Sequence, residues 1–364
     1  MGRCWWWRGA GIFGFWLSCA LAYGTWNVVN LHPPGASASS ATGVAGGRQV
    51  GIANFSGIDR AVRWSGSAGT WQALNMSGIG YSSAWGIVGE TYVGNAPLGT
   101  FQHAAIWTEG SSSWIDLTPA HATAYTSAYG TDGVQQVGVT YTNNLHRASL
   151  WTGSAASWVD LSGGRYSDAF DVHNGVQVGT VNLSVGRRAS LWRGSAASWV
   201  NLHPLSGYFR SDARGVYGEH QVGTAVAPGN LNHGGIWSGT AESWRALTPA
   251  GATESQAEDI FENRQVGSAT IGGAKRASMW SGSAESWIDL HAFLPSSFSS
   301  SFADSISREG DTWSIAGYGY NEDTHRKEAL MWIATVPEPG IAVVLTGGLI
   351  VLRKVRRRSL NGKS

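Results

Sequence analysis

The sequence predicts an all-β fold, a seven-bladed β-propeller with four strands per blade, and three observations carry that prediction. The stretch 147–161, RASLWTGSAASWVDL, recurs in near copy along most of the chain. Aligned on the first tryptophan, the copies fall at Trp64, Trp107, Trp151, Trp192, Trp237, Trp280 and Trp332, 41 to 52 residues apart. A fixed period in this range marks a repeat fold, and four short strands per unit is its propeller form. The repeated runs are short, rich in β-branched and aromatic residues, and bounded by glycine and serine, which are strand signals. No stretch of 23–334 sustains a 3.6-residue period. The third observation concerns the two ends of the repeat array. Seven Ala-x-x-Trp strands are followed by only six Trp-x-x-Leu strands, at Trp71, Trp114, Trp158, Trp199, Trp244 and Trp287. The missing piece stands at the start, where 26–31 runs into His32-Pro33 as Asn201-Leu202 runs into His203-Pro204. The spacing therefore predicts a ring closed by pairing 26–31 with 328–334, because an open array would leave two strand edges unpaired.

Each unit contains an apolar strand ending in glycine, the Ala-x-x-Trp strand, a Gly-Ser-Ala turn and the Ser-Trp-x-x-Leu strand. The glycine strands are placed at Gln49-Val50-Gly51, Ile87-Val88-Gly89, Gln136-Val137-Gly138, Gln177-Val178-Gly179, Gln221-Val222-Gly223, Gln265-Val266-Gly267 and Ile315-Ala316-Gly317. A less regular strand rich in alanine and valine, such as 169–172, precedes each of them. Sixteen of the 20 tryptophans lie outside the first 22 residues, and fourteen of those fill the two repeated columns. At about 25 cal/mol per Å2 and roughly 200 Å2 each, a buried tryptophan contributes on the order of 5 kcal/mol before entropy. Those fourteen are expected to pack blade against blade.

The ends read as address rather than fold. Arg3 and Arg8, an apolar run over 11–22 and the small residues Ala20 and Ala22 form a secretory signal, so 1–22 is expected to be removed by signal peptidase. Both cysteines, Cys4 and Cys19, lie in it, which leaves 23–364 without thiols for disulfides or thiolate metal sites. At the far end Pro337-Glu338-Pro339 precedes an apolar run over 340–352 and a basic tail with Arg353, Arg356, Arg357 and Arg358. That run is short for a permanent span, and a short helical, transiently membrane-held segment is expected there, as in the leader. Without the eight basic residues of the two ends, 17 Lys+Arg face 24 acids, a negative balance that disfavours nucleic acid.

The order Pro-Glu-Pro, apolar run, arginine cluster resembles the PEP-CTERM sorting signal of Gram-negative bacteria. The resemblance covers 336–364 and implies recognition by an exosortase at the inner membrane, then release to the outer surface or extracellular matrix. The strand at His103-Ala104-Ala105-Ile106-Trp107, like Arg188-Ala189-Ser190-Leu191-Trp192, resembles the HAF repeat of bacterial extracellular proteins, whose core reads His-Ala-Phe-Leu-Trp. Here a small residue replaces the phenylalanine. That resemblance extends over most of the propeller segment, 23–335, and implies an extracellular module without a defined activity.

Candidate binding residues are sought where the repeats depart from one another. Trp85 and Trp313 escape both tryptophan columns and are placed in turns, where they could stack on a sugar ring. The connections 90–102, 140–145, 225–232 and 318–327 differ most between units, and binding usually resides on such loops. In the last of them Tyr318, Tyr320, Glu322, Asp323 and His325 form the densest polar cluster and the best candidate site. Four positions before the Ala-x-x-Trp tryptophans stand Arg60, His103, Arg147, Arg188, His233, Arg276 and, in the last unit, Glu328; the six basic ones read as scaffold side chains pairing with nearby acids. No nucleophile elbow, zinc helix or calcium loop is present, so no catalytic residue, metal or cofactor is assigned. The expected function is that of an exported, non-catalytic surface or matrix propeller that serves adhesion or contacts exopolysaccharide. Its rival is a polysaccharide hydrolase or lyase of the same fold, which would gather carboxylates with Tyr, His or Arg at one mouth of the central funnel.

Overall fold

The computed structural model describes residues 26–74, 80–111 and 113–335. The leader, the helical segments expected at both termini and the sorting motif at 337–339 with its arginines lie outside them. Seven four-stranded antiparallel sheets form blades: 1 (38–73), 2 (83–116), 3 (126–160), 4 (167–201), 5 (210–246), 6 (252–289) and 7 (298–335 with Asn27–Asn30). The innermost strands are Ala38–Ala45, Ser83–Val88, Thr126–Thr131, Ser167–His173, Arg210–Tyr217, Ala252–Phe261 and Phe298–Glu309. Among the described residues no helix is long and apolar enough to cross a membrane.

The ring closes as the strand count requires. Asn27 pairs with Ile333, Val28 with Trp332, Val29 with Met331 and Asn30 with Leu330, and Leu31 N donates to Ala329 O at 2.8 Å. The first described strand is thus the outer strand of the last blade.

Cores lie between blades, as expected for sheets stacked face to face. Val178, Ala189, Leu191 and Leu202 of blade 4 meet Ala213, Val216 and Trp237 of blade 5 in one cluster, and the other junctions repeat the pattern. The Ala-x-x-Trp tryptophans are fully buried there, whereas those of the outer strands, Trp26 excepted, are only half-buried. Three of the latter, Trp158, Trp199 and Trp287, donate their indole N–H to Ser149, Ser190 and Ser278 of the same blade at 2.8–2.9 Å.

A second repeated bond ties the blades together. The hydroxyl of Ser39, Ser82, Thr126, Ser167, Ser211, Ser255 or Ser301, on or just before each inner strand, accepts the backbone N–H of the third strand of the preceding blade at 2.7–3.0 Å. The donors are Ala329, Ala61, Ala104, Ala148, Ala189, Gly234 and Ala277, so all seven junctions carry it, the closing one included.

One glycine per blade is dictated by a β-bulge. Each inner strand is bulged at the residue directly after its Ser/Thr-x-Ala start, between Ala128 and Gly130 for example. The bulge presses the preceding carbonyl onto the second strand, so a Cβ on Gly51, Gly94, Gly138, Gly179, Gly223, Gly267 or Gly317 would stand 1.9–2.0 Å from that oxygen. Only glycine fits. This constraint corrects the register of blade 2, where the glycine strand is Thr91–Leu98 with Tyr92-Val93-Gly94. Ile87-Val88 belongs to the inner strand, and Gly89 is a turn glycine with φ of 55°.

Candidate functional site in the central channel

Because each bulge adds one unpaired residue, it turns one side chain out of the ladder and toward the axis. Around the ring these are Thr42, Trp85, Tyr129, Phe170, Arg214, Glu258 and Asp304, and all seven line a central cavity of about 350 Å3. The scaffold repeats while this position does not. Three aromatic side chains stand together on blades 2 to 4, with Trp85 and Tyr129 edge-on at 6.1 Å and Tyr129 and Phe170 at 5.9 Å. Three charged ones follow on blades 5 to 7. The Arg214 guanidinium lies 4.5 Å from the centre of the Phe170 ring and joins the two arcs by a cation–π contact.

The next position along each strand faces the neighbouring blade and is glycine in four of seven. A Cβ on Gly86 would meet Tyr129 O at 2.8 Å, and one on Gly130 would meet Asp171 Cα at 2.8 Å. Where a side chain is present it bonds the next inner strand. Asp171 Oδ2 accepts from Val216 N and Asp259 Oδ2 from Ile306 N, each at 2.9 Å, and Ser305 Oγ accepts from Val44 N at 3.4 Å. Asp171 and Asp259 are thereby engaged in joining blades.

Two positions further on, the channel wall carries Ala45, Val88, Asp132, His173, Tyr217, Phe261 and Ser307. His173 and Tyr217 lie 4.4 Å apart, Tyr217 and Phe261 4.8 Å apart, and Trp313 meets Phe261 edge-on at 6.2 Å. Both ends of the channel therefore carry an aromatic arc.

The channel carboxyls are half-exposed to its lumen yet ringed by protein, so desolvation governs them. Burial, reinforced for Asp171 by Asp259, pushes both aspartates up. Burial raises Glu258, with Arg214 pulling it back, and raises Asp304 well above the ordinary range, with Glu258 adding to the effect and Lys327 opposing it. Near the mouth, burial and the negative field of Asp304 and Glu258 push the Tyr318 phenol to about 12. Asp304 Oδ2 and Trp85 Nε1 are buried without a hydrogen-bond partner among the described residues.

The seven residues expected to bind ligand do not converge. Trp85 occupies the bulge of an inner strand instead of a turn and points into the channel. Trp313 is also in a strand, Thr312–Asn321, where it is 8% exposed and the Arg308 guanidinium stands 5.6 Å from its ring centre. Tyr318 and Tyr320 lie toward the other end of that strand, about 3.3 Å further per residue. Tyr318 stacks on Phe302 at 5.6 Å beneath the Lys327 ammonium, beside the charged arc. Glu322, Asp323 and His325 are exposed in a short turn, and the neighbouring Asn321 and Thr324 donate inward to the buried Glu328. That polar cluster is organised around blade closure. Three of the six residues in the repeated basic column pair with acids, Arg147 with Asp160 at 2.7 Å, Arg276 with Asp289 at 2.5 Å and His103 with Asp116 at 2.9 Å, whereas Arg188 donates to the backbone carbonyls of Val185, Arg187 and Phe209 at 2.8–3.1 Å. Sequence reasoning misses Thr42, Tyr129, Phe170, Arg214, Glu258 and Asp304. Their signal is the one position after the recurrent Ser/Thr-x-Ala that changes in every unit.

Among the described residues no group of His, Cys, Asp and Glu is arranged to hold a metal. No family model and no curated protein matches the chain. Solved propellers do. A Mycobacterium tuberculosis puromycin-hydrolyzing peptidase superposes with a TM-score of 0.54 at 15% identity over 84% of this chain, which spans 56% of that protein. The β-propeller domain of the Trilobed protease from Pyrococcus furiosus, described as having an open velcro topology, gives 0.55 at 8% identity, covering 83% and 97%. YCF48 bound to D1 peptide gives 0.53 at 13% identity, covering 88% and 99%. These likenesses establish the fold alone.

Proposed function

We propose that this is an exported, non-catalytic propeller whose central channel binds an extracellular saccharide at the cell surface or in the matrix. The observation that carries this reading is the ring of bulged residues, in which a uniform scaffold presents three aromatic side chains opposite three charged ones. Aromatic faces suit the C–H surface of a sugar ring, and Arg214, Glu258 and Asp304 suit its hydroxyls. The leader and the Pro337-Glu338-Pro339 segment support delivery through signal peptidase and an exosortase, by way of the inner membrane, to the outer surface of a Gram-negative cell. The purified full chain on a glycan array is expected to retain at least one saccharide, and Trp85→Ala to weaken that binding roughly tenfold. Binding to no glycan would overturn the reading. Fractionation of cells carrying Glu338→Gln tests the address separately, with retention at the inner membrane expected.

A polysaccharide hydrolase or lyase is the second reading. The feature favouring it is that the channel gathers carboxyls with Tyr, His and Arg instead of glycine, alanine and valine alone. A glycosidase needs carboxyls free to face the substrate; against this reading, Asp132, Asp171 and Asp259 accept backbone amides of the protein itself. New reducing ends or unsaturated products from a retained glycan would establish the enzyme.

A further inference from the structure

Five carboxyl groups line the channel: Asp132, Asp171, Glu258, Asp259 and Asp304. Three of them have internal work. Asp132 accepts the N–H groups of Val134 and Gln135 in its own turn, and Asp171 and Asp259 accept amides of the next blade. Glu258 and Asp304 stand on adjacent blades at the level of the aromatic arc, and neither forms an ion pair or a side-chain hydrogen bond among the described residues. The nearby cations are engaged elsewhere. Arg214 covers Phe170, Lys275 donates to Gln256 at 3.0 Å and lies 5.1 Å from the Phe302 ring centre, and Lys327 lies over Tyr318. Arg214 and Lys275 pull on Glu258 through space and Lys327 on Asp304, yet among the described residues none forms an ion pair with either carboxyl.

Asp304 Oδ2 is buried in this ring without a partner, and so is Trp85 Nε1, a state that seven other tryptophans of the described residues share. A desolvated carboxylate oxygen without a bond is satisfied when a complementary ligand donates to it. One atom is an acceptor calling for a charged or strong donor, the other a donor calling for a hydroxyl or carbonyl oxygen. Between them lie the faces of Tyr129 and Phe170, which favour a C–H surface or a cation. The carboxyls are not arranged for a compact metal ion. A cavity of about 350 Å3 lies at the small end of ligand sites.

We infer that the channel is a site for a cationic amino sugar, whose ammonium group is received by Glu258 and Asp304 while a ring hydroxyl meets the Trp85 indole and the C–H face lies along Tyr129 and Phe170. The inference rests on the saccharide reading and adds the charge of the ligand.

The test uses three tetrasaccharides of one β-1,4-linked glucan skeleton that differ only at C2: the glucosamine tetramer (ammonium), the N-acetylglucosamine tetramer (acetamide) and cellotetraose (hydroxyl). Calorimetric titration of the full chain near neutral pH is expected to rank the glucosamine tetramer first, by about tenfold or more over the other two. Asp304→Asn and Glu258→Gln are each expected to remove most of that preference, weakening the glucosamine tetramer severalfold more than cellotetraose. Equal binding of the three, or preference for either uncharged oligomer, would overturn the charge inference and leave the saccharide reading standing. Binding of none would overturn both. A persistent preference for the glucosamine tetramer in a folded Asp304→Asn, Glu258→Gln double variant would move the cation away from this ring and overturn the assignment.

Discussion

The side-chain amide of Asn30 donates to the carboxylate of Glu328 at 2.7 Å, joining residues 298 positions apart where the first described strand meets the last. The Glu328 side chain is only 2% exposed and also accepts from Arg326, Thr324 and Asn321 at 2.7–3.1 Å. Burial alone would raise its pKa, but the four donors outweigh burial and hold it at about 2. Its folded value lies below its unfolded one, so the stabilisation is complete above about pH 4.5 and is lost as pH falls toward 2. Glu328→Gln keeps the shape and loses the charge. It is expected to cost about 2 kcal/mol at pH 7, as for a hydrogen bond to a charged group. Denaturant titration should show that difference shrinking between pH 4.5 and pH 2.

The hydroxyl that bolts each blade to the next invites a comparison around the ring. Ser39 Oγ accepts Ala329 N at 2.9 Å at the closing junction, and His32 Nδ1 lies 2.8 Å from the same oxygen. Ser167 Oγ accepts Ala148 N at 3.0 Å between blades 3 and 4. Substitution of either serine by alanine leaves a buried amide unsatisfied and is expected to cost about 1–3 kcal/mol. Ser167→Thr should be nearly neutral, because Thr126 makes the same bond at 2.7 Å. Thermal unfolding of the three variants decides the matter, and equal melting of Ser167→Ala and Ser167→Thr would refute the role of the bond.

Glycine content is a structural demand at some positions and incidental at others. A Cβ on Gly138 would stand 1.9 Å from Ser127 O, whereas one on Gly69 meets nothing within 4 Å and needs no left-handed backbone. Gly138→Ala is expected to destabilise by more than about 3 kcal/mol, since the clash is with backbone that the bulge holds in place. Gly69→Ala should be neutral or stabilising by about 0.5 kcal/mol through the unfolded chain. Chemical denaturation of both variants gives the contrast.

These outcomes depend on features that are unequally legible in the sequence. Closure by 26–31 can be read because counting Trp-x-x-Leu strands exposes a deficit at one end and a surplus at the other. The burial of the Ala-x-x-Trp tryptophans follows from repetition alone. Blade 2 is misread at Ile87-Val88-Gly89 because an apolar pair before a turn glycine looks like one before a bulge-facing glycine. Only the carbonyl of Ser83 beside Gly94 separates them. The channel ring stays hidden for a related reason. Thr42, Trp85, Tyr129, Phe170, Arg214, Glu258 and Asp304 share no chemistry, and a one-residue bulge that turns them to the axis leaves no mark in a period count. The cluster at 318–325 is conspicuous because it is polar, yet its bonds run to Glu328.

Asp304 separates a ligand site from a structural one by the sign of its effect on stability. Burial, with Glu258 and Asp259 adding repulsion and Lys327 opposing it, raises its carboxyl above the unfolded value of about 3.9. The folded state then holds a proton that the unfolded state releases, so stability falls as pH rises from about 4 toward the folded value. An amide in place of the carboxyl cannot ionise. Asp304→Asn is therefore expected to match the parent at pH 3 and to melt about 2 °C or more higher at pH 7, a shift equivalent to about 1 kcal/mol in a domain of this size. Parallel thermal scans at the two pH values check it. A lower melting temperature at pH 7 would make Asp304 part of the scaffold, whereas a gain marks a side chain kept at a cost to stability, as groups reserved for a ligand are.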